Sequence, residues 1–158
     1  MQADPFCQTR CLPGAMATIH LESEFLAVRE GLGRVLCLPD MLTLGADLRG
    51  MVEIVLVEVL NNIVEHAYAG QTGPIEIALR LCPDRLACHV QDRGRPFPPG
   101  GPPPGILPEG KTLNDMPEGG YGWHLIRTMT TDLHYSRSEG INHLRFCIPI
   151  EAKPPLYG

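Results

Sequence analysis

The sequence predicts an α/β (α+β) fold: a two-layer α/β sandwich in which a mostly antiparallel sheet carries helices on one face. Three observations point there. Several segments alternate apolar and polar residues with period two, so each strand has one wet side, as in an antiparallel sheet covered on a single face. A long, strongly apolar stretch between about Asp47 and Ala67 reads as a buried helix able to supply the second layer. Short turn-forming segments, Cys82-Pro83-Asp84-Arg85 and Glu139-Gly140-Ile141-Asn142, join consecutive strands as hairpins.

Residues 1–15 contain Pro5, Pro13 and Gly14 and show no periodicity, so they are expected to be a flexible extension of a domain spanning 16–151, with 152–158 as a tail. Ala17–Glu22 alternates as a strand. Ser23 precedes Phe25, Val28, Leu32, Val35 and Leu36, the spacing of a serine-capped helix that ends before Pro39. Strands follow at 75–81 and 86–92. Next come residues 94–120, 27 positions holding eight of the sixteen prolines and seven of the seventeen glycines. Because ordered sequence resumes directly, this segment is expected to be a lid over a site. A helix over 122–131 and a closing hairpin of 133–137 with 143–150 complete the chain; Leu144, Phe146, Ile148 and Ile150 face one way, His143, Arg145 and Cys147 the other.

Length and charge narrow the function. A chain of 158 residues holds one domain, and its net charge of −5 lacks the basic footprint of a nucleic-acid binder. No apolar run reaches the roughly 18 residues that span a bilayer, and the N-terminus lacks the apolar core of a signal peptide, so a cytoplasmic protein is expected. Of six cysteines, Cys37, Cys82, Cys88 and Cys147 sit in apolar runs and no C-x-x-C pair occurs. Reduced structural thiols are the expectation; Cys7 and Cys11 have no assigned role.

Three clusters carry chemistry. Glu58, Asn62 and His66 recur every fourth residue along the apolar helix, which stacks them on one face; an ionised carboxylate there costs several kcal/mol unless partnered. Asn62 offers an oxygen suited to hydrated Mg²⁺ beside phosphates, and Glu58 one turn away could deprotonate a nucleophile. Asp92 ends its strand in phase with Leu86, Cys88 and Val90, so its carboxylate points inward, where it can accept a hydrogen bond from an exocyclic amine such as adenine's; Gly94 follows. Gly119-Gly120-Tyr121-Gly122 opens a helix and frees backbone N–H groups for an anion. Lys111, the only lysine of the 94–120 segment, is in reach of a phosphate or simply solvated. The plain reading of His124 is an exposed helix residue.

In this order the three clusters resemble the N, G1 and G2 boxes of the GHKL ATPase superfamily, and more closely the bacterial anti-sigma factor serine-protein kinases (RsbW/SpoIIAB-like). The N box is Glu58-Val59-Leu60-Asn61-Asn62-Ile63-Val64-Glu65-His66-Ala67-Tyr68, the G1 box Asp92-Arg93-Gly94-Arg95-Pro96-Phe97-Pro98, and the closing segment Asp132-x-x-Tyr135-x-x-x-x-Gly140-x-Asn142-x-Leu144. Pro96 replaces the superfamily's second G1 glycine, and Trp123 and His124 stand where an apolar residue is common. The resemblance implies a Bergerat-type fold that binds ATP or ADP through Asn62, His66, Ala67, Asp92, Gly94, Phe97, Gly119, Gly120, Tyr121 and Gly122. It also implies Mg²⁺ on Asn62 and Glu58 as the catalytic base. The implied partners are a sigma factor, a STAS-domain anti-sigma factor antagonist phosphorylated on serine, and a second copy of the chain, with neither nucleic acid nor membrane. A binding module that transfers no phosphate and a histidine-kinase catalytic domain remain as rival readings.

Overall fold

Strand alternation builds the sheet as expected. The computed structural model describes residues 16–107, 109 and 120–150. The expected 1–15 extension and 152–158 tail, and with them Cys7, Cys11, Lys111 and Gly119, lie outside the described residues. Five strands, β1 (Ala17–Glu22), β2 (Pro74–Leu81), β3 (Arg85–Asp92), β4 (Thr131–Ser138) and β5 (Ile141–Pro149), pair antiparallel in the order β1-β2-β3-β5-β4. Because β5 lies between β3 and β4, the registers Asp92↔Asn142 and Arg137↔Asn142 bring three strand ends together. That junction becomes one wall of the site.

Among the described residues, four α-helices accompany the sheet: α1 (Phe25–Leu36), the four-residue α2 (Pro39–Leu42), α3 (Ala46–Asn62) and α4 (Gly120–Met129). Helix α3 packs against both α1 and α4. Its Val52, Val55, Leu56, Val59 and Leu60 join Val28, Leu32 and Val35 of α1 and the inward row Ile75, Ile77, Leu79, Leu86, Cys88, Val90, Leu144, Phe146 and Ile148 in one core. Each large aliphatic residue buried there contributes about 1.5–3 kcal/mol of transfer free energy. Among the described residues, no helix is long and apolar enough to cross a membrane.

Four local features differ from the sequence reading. Ser23 does not cap α1, whose N-cap is Glu24 with no side-chain cap bond. The pairing of Glu22 with Pro74 sets Ser23 beside Gly73, and the two exchange bonds: Ser23 N donates to the Gly73 carbonyl and Gly73 N to Ser23 Oγ, each at 2.9 Å. Helix α2 was not foreseen. The long helix does not stay α-helical to Ala67 but continues from α3 as a π-helical turn, Ile63–Tyr68. Cys82, buried at 4 %, is disulfide-bonded, while Cys37, Cys88 and Cys147 are free thiols. An apolar neighbourhood suits a buried half-cystine as well as a buried thiol, so alternation could not separate the two.

Candidate functional site

The π-helical turn reshapes the expected Glu58–Asn62–His66 stripe. Glu58 and Asn62 keep the α-helical relation: Asn62 Nδ2 donates to the Glu58 carbonyl at 2.8 Å, and both side chains are half-buried. Beyond Asn62 the wider turn changes the phase, and the His66 side chain is 65 % exposed. Glu58 and Asn62 therefore pack inward while His66 sits at the exposed rim of the cavity that Asn62 also lines. Tyr68 ends the turn and staples it to the sheet, donating to the Pro74 carbonyl at 2.7 Å and accepting from Arg93 N–H at 3.0 Å. A side chain at Gly73 would collide with the Tyr68 ring.

Between this helix, the end of β3, α4 and the β4–β5 pair lies a cavity of about 480 Å³. Asn62, His66, Ala67, Asp92 and Phe97 line it, together with Arg95, Trp123, Tyr135, Asn142 and Leu144. The remaining expected residues adjoin the lining. Gly94 lies so close to Ala67 that a Cβ would come within 2.6 Å of its carbonyl carbon, and Arg95 N–H donates to the Ala67 carbonyl at 2.8 Å. Gly120, Tyr121 and Gly122 form the first turn of α4, with the Tyr121 ring stacked on His124 at 5.8 Å. A Cβ at Gly122 would collide with Glu58 Oε2 and come within 3.8 Å of Asn62 Nδ2. The Glu58 carboxylate is thus seated against the positive end of α4.

Asp92 Oδ1 accepts from Gly94 N–H and from Asn142 Nδ2, both at 2.8 Å. Asn142 also donates to the carbonyls of Arg95 (3.0 Å) and Gly94 (3.3 Å), and its Oδ1 accepts from Tyr135 Oη (2.7 Å) and Arg137 (2.6 Å). Arg137 reaches the Gly94 carbonyl as well, at 2.9 Å. Burial holds the Asp92 pKa above its ordinary value, partly offset by the Asn142 and Gly94 hydrogen bonds and the charges of Arg137 and His143. Burial, reinforced by Glu65, also raises that of Glu58. Both acids are therefore desolvated, as groups near reactive centres often are.

The sequence reading did not identify Asn142, Tyr135, Arg137 or Trp123 as site residues. Asn142 is buried at 4 % in a strand of otherwise apolar inward residues, the signal that could have singled it out. Phe97 packs edge-on against both Trp123 (5.4 Å) and Tyr135 (4.9 Å). The described part of the expected lid is fastened to α4: His124 Nδ1 bonds the Gly105 carbonyl at 2.9 Å, and Arg127 donates to those of Pro103 (2.8 Å) and Pro102 (3.2 Å). His124 is therefore a half-buried bonding residue, not an exposed one.

Comparison with known proteins agrees with this architecture. Residues 26–148 match the histidine kinase-like ATPase domain. The chain is 35% identical over 89 residues to the serine/threonine-protein kinase BtrW of Bordetella bronchiseptica, covering 55% of this chain and 61% of that protein. It is 34% identical over 94 residues to the serine-protein kinase RsbW of Bacillus cereus, covering 58% and 59%. The aligned part of the chain thus spans about six-tenths of these relatives. Among solved structures, the Acinetobacter baumannii histidine kinase AdeS superposes over 89% of this chain and 70% of its own, with a TM-score of 0.43 and 16% identity. With the match covering most of its length, the chain belongs to the histidine kinase-like ATPase domain family and is similar to its RsbW-type serine kinases.

Proposed function

We propose that this protein is a cytosolic, ATP-binding anti-sigma factor that acts as a homodimer. In this reading it sequesters a sigma factor and phosphorylates a serine on a STAS-domain antagonist in a partner switch. The observation that carries the kinase step is the Glu58 carboxylate, seated against Gly122 in the first turn of α4 and one helical turn from Asn62. The other groups at the cavity fit the same ligand. A cavity of about 480 Å³ lies within the roughly 300–1,000 Å³ of small-molecule sites, and neither bond to Asp92 uses Oδ2, which leaves that oxygen to accept from adenine's amino group. Asn62 Nδ2 is committed to the Glu58 carbonyl, leaving Oδ1 as an oxygen ligand for Mg²⁺.

Bound Mg²⁺ would supply charge neutralisation at the phosphates. The chain's own residues do the rest. Glu58 takes the proton of the antagonist's serine hydroxyl onto its carboxylate, and Asp92 and Phe97 hold the base end of the nucleotide. The first turn of α4 presents its N–H groups toward the anionic end. Phosphorylation adds about −1.5 to −2 charges to the antagonist, which a kinase of net charge −5 repels, so the product is released.

The test is transfer from radiolabelled ATP to a purified STAS-domain partner, with nucleotide binding measured in parallel. Glu58→Gln should lower transfer about 10²–10⁴-fold while leaving ATP affinity nearly unchanged. Undiminished transfer removes Glu58 from the mechanism. No transfer by the wild-type protein to its authentic partner favours a binding module that uses ATP without transferring phosphate.

A further inference from the structure

The most heavily bonded side chain at the cavity belongs to Asn142, and its orientation is determined by chemistry. Arg137 has only donors, so the Asn142 atom it meets at 2.6 Å must be the amide oxygen, and Tyr135 Oη at 2.7 Å donates to the same atom. The amide nitrogen is then turned toward Asp92 Oδ1 and the carbonyls of Gly94 and Arg95, which can only accept. Asp92 Oδ1 thus receives two N–H donors without needing a proton of its own, and Oδ2 faces the ligand space as an acceptor.

We propose that Asn142 is a positioning and specificity-determining residue: it keeps Asp92 an acceptor-only carboxylate, and so makes the cavity choose a purine with an amino group at C6 over one with an oxo group. The inference rests on the nucleotide reading of the cavity and assigns to Asn142 a choice that Asp92 alone cannot guarantee. A protonated Asp92 would present an O–H at Oδ2, which pairs with an oxo group and repels an amino group. Burial pushes Asp92 toward that state, and the Asn142 amide is the first of the influences opposing it. The other groups around Asp92 are Gly94 N–H on the following loop, His143 beside Asn142 on β5, Arg137 on β4, and Tyr68 at the end of the π-helical turn. Arg95 and His66 line the same cavity. Without Asn142, the remaining influences act on an acid that has lost its strongest hydrogen-bond donor.

The experiment compares ATP with ITP, which carries an oxo group at C6 and a proton at N1, by calorimetry between about pH 5.5 and 8. Trp123, the only tryptophan, lines the cavity and supplies a second binding signal. The wild-type chain should prefer ATP by about 10² or more across the range, since a site built to bond one group rejects its analogue strongly. Asn142→Asp keeps the acceptor for Tyr135 and Arg137 but sets a second carboxylate against Asp92, so the pair should hold a shared proton. Its preference for ATP should fall at least about tenfold at the acid end and recover as pH rises. Asn142→Leu should show the same trend, and if it does not fold, Asn142→Asp decides alone. Affinity lost equally for ATP and ITP at every pH, or a variant preference as large and as pH-independent as the wild type's, overturns the inference. A wild-type chain that binds both equally overturns the inference, and one that binds neither overturns the nucleotide reading itself.

Discussion

Gly122 and Gly94 have no room for a side chain, for different reasons, and the difference can be measured. At Gly122 the obstacle is the end of a flexible side chain, the Glu58 carboxylate; at Gly94 it is the Ala67 backbone and Cβ, at 2.6–2.7 Å. Gly122→Ala should therefore leave the fold intact and displace Glu58, lowering phosphate transfer by up to about 10²-fold, as a misplacement near 1 Å can do. Adding Glu58→Asp, one methylene shorter, should restore part of that loss. A double variant no better than Gly122→Ala would mean that the glycine serves the nucleotide's phosphates directly. Gly94→Ala has no side chain that can yield and should cost about 1–3 kcal/mol in urea denaturation, the usual penalty of overpacking. A stability equal to wild type would show that the loop shifts freely from Ala67.

At the scale of elements, the proline-rich stretch after β3 behaves as a wall. Three of its carbonyls, those of Pro102, Pro103 and Gly105, are held by His124 and Arg127 of α4, and Gly105, at φ +65°, packs against the Trp123 carbonyl. His124→Ala with Arg127→Ala should release this wall, weaken the Phe97–Trp123 contact, and shift the emission of the single tryptophan to the red. The same double variant should gain a proteolytic cut near Ile106, which is 76% exposed and already accessible once the backbone loosens. An unchanged spectrum and cleavage pattern would mean that other contacts hold the stretch. This element also marks how far the sequence could be read. Alternation was enough to direct Asp92 inward, and apolar density was enough to find α3, because both signals are local. The exchange of bonds between Ser23 and Gly73 and the attachment of a loop near 103 to Arg127 depend on partners 24 to 50 residues away, and the π-helical turn is stapled by Tyr68 to Pro74 and Arg93. Asn142 was visible within a motif, yet its role emerges only when β5 is inserted between β3 and β4.

At the scale of the molecule, the fold holds an acid at the cavity that it would tolerate better uncharged. Asp92 has its pKa raised by burial, so folding favours its protonated form. Below the ordinary carboxylate value of about 3.9, the acid is protonated in both folded and unfolded chains, and its contribution to stability is fully present. As pH rises the unfolded chain ionises first, and that contribution is lost through the raised folded value and stays lost above it. Asp92→Asn keeps an oxygen for Gly94 and carries no charge at any pH. Relative to this variant, the wild-type chain should lose stability from about pH 4 up to the raised value and then run parallel to it. Urea midpoints measured across that range test the sign, and a wild-type chain that gains on Asp92→Asn as pH rises would show that Arg137, His143 and Asn142 more than offset burial. ATP should oppose that loss at neutral pH, because a ligand at a hundredfold excess over its Kd stabilises the chain that binds it by about 2.7 kcal/mol. Asp92→Asn, deprived of its charged acceptor for the base, should gain much less, so nucleotide should shift the difference between the two chains in favour of the wild type.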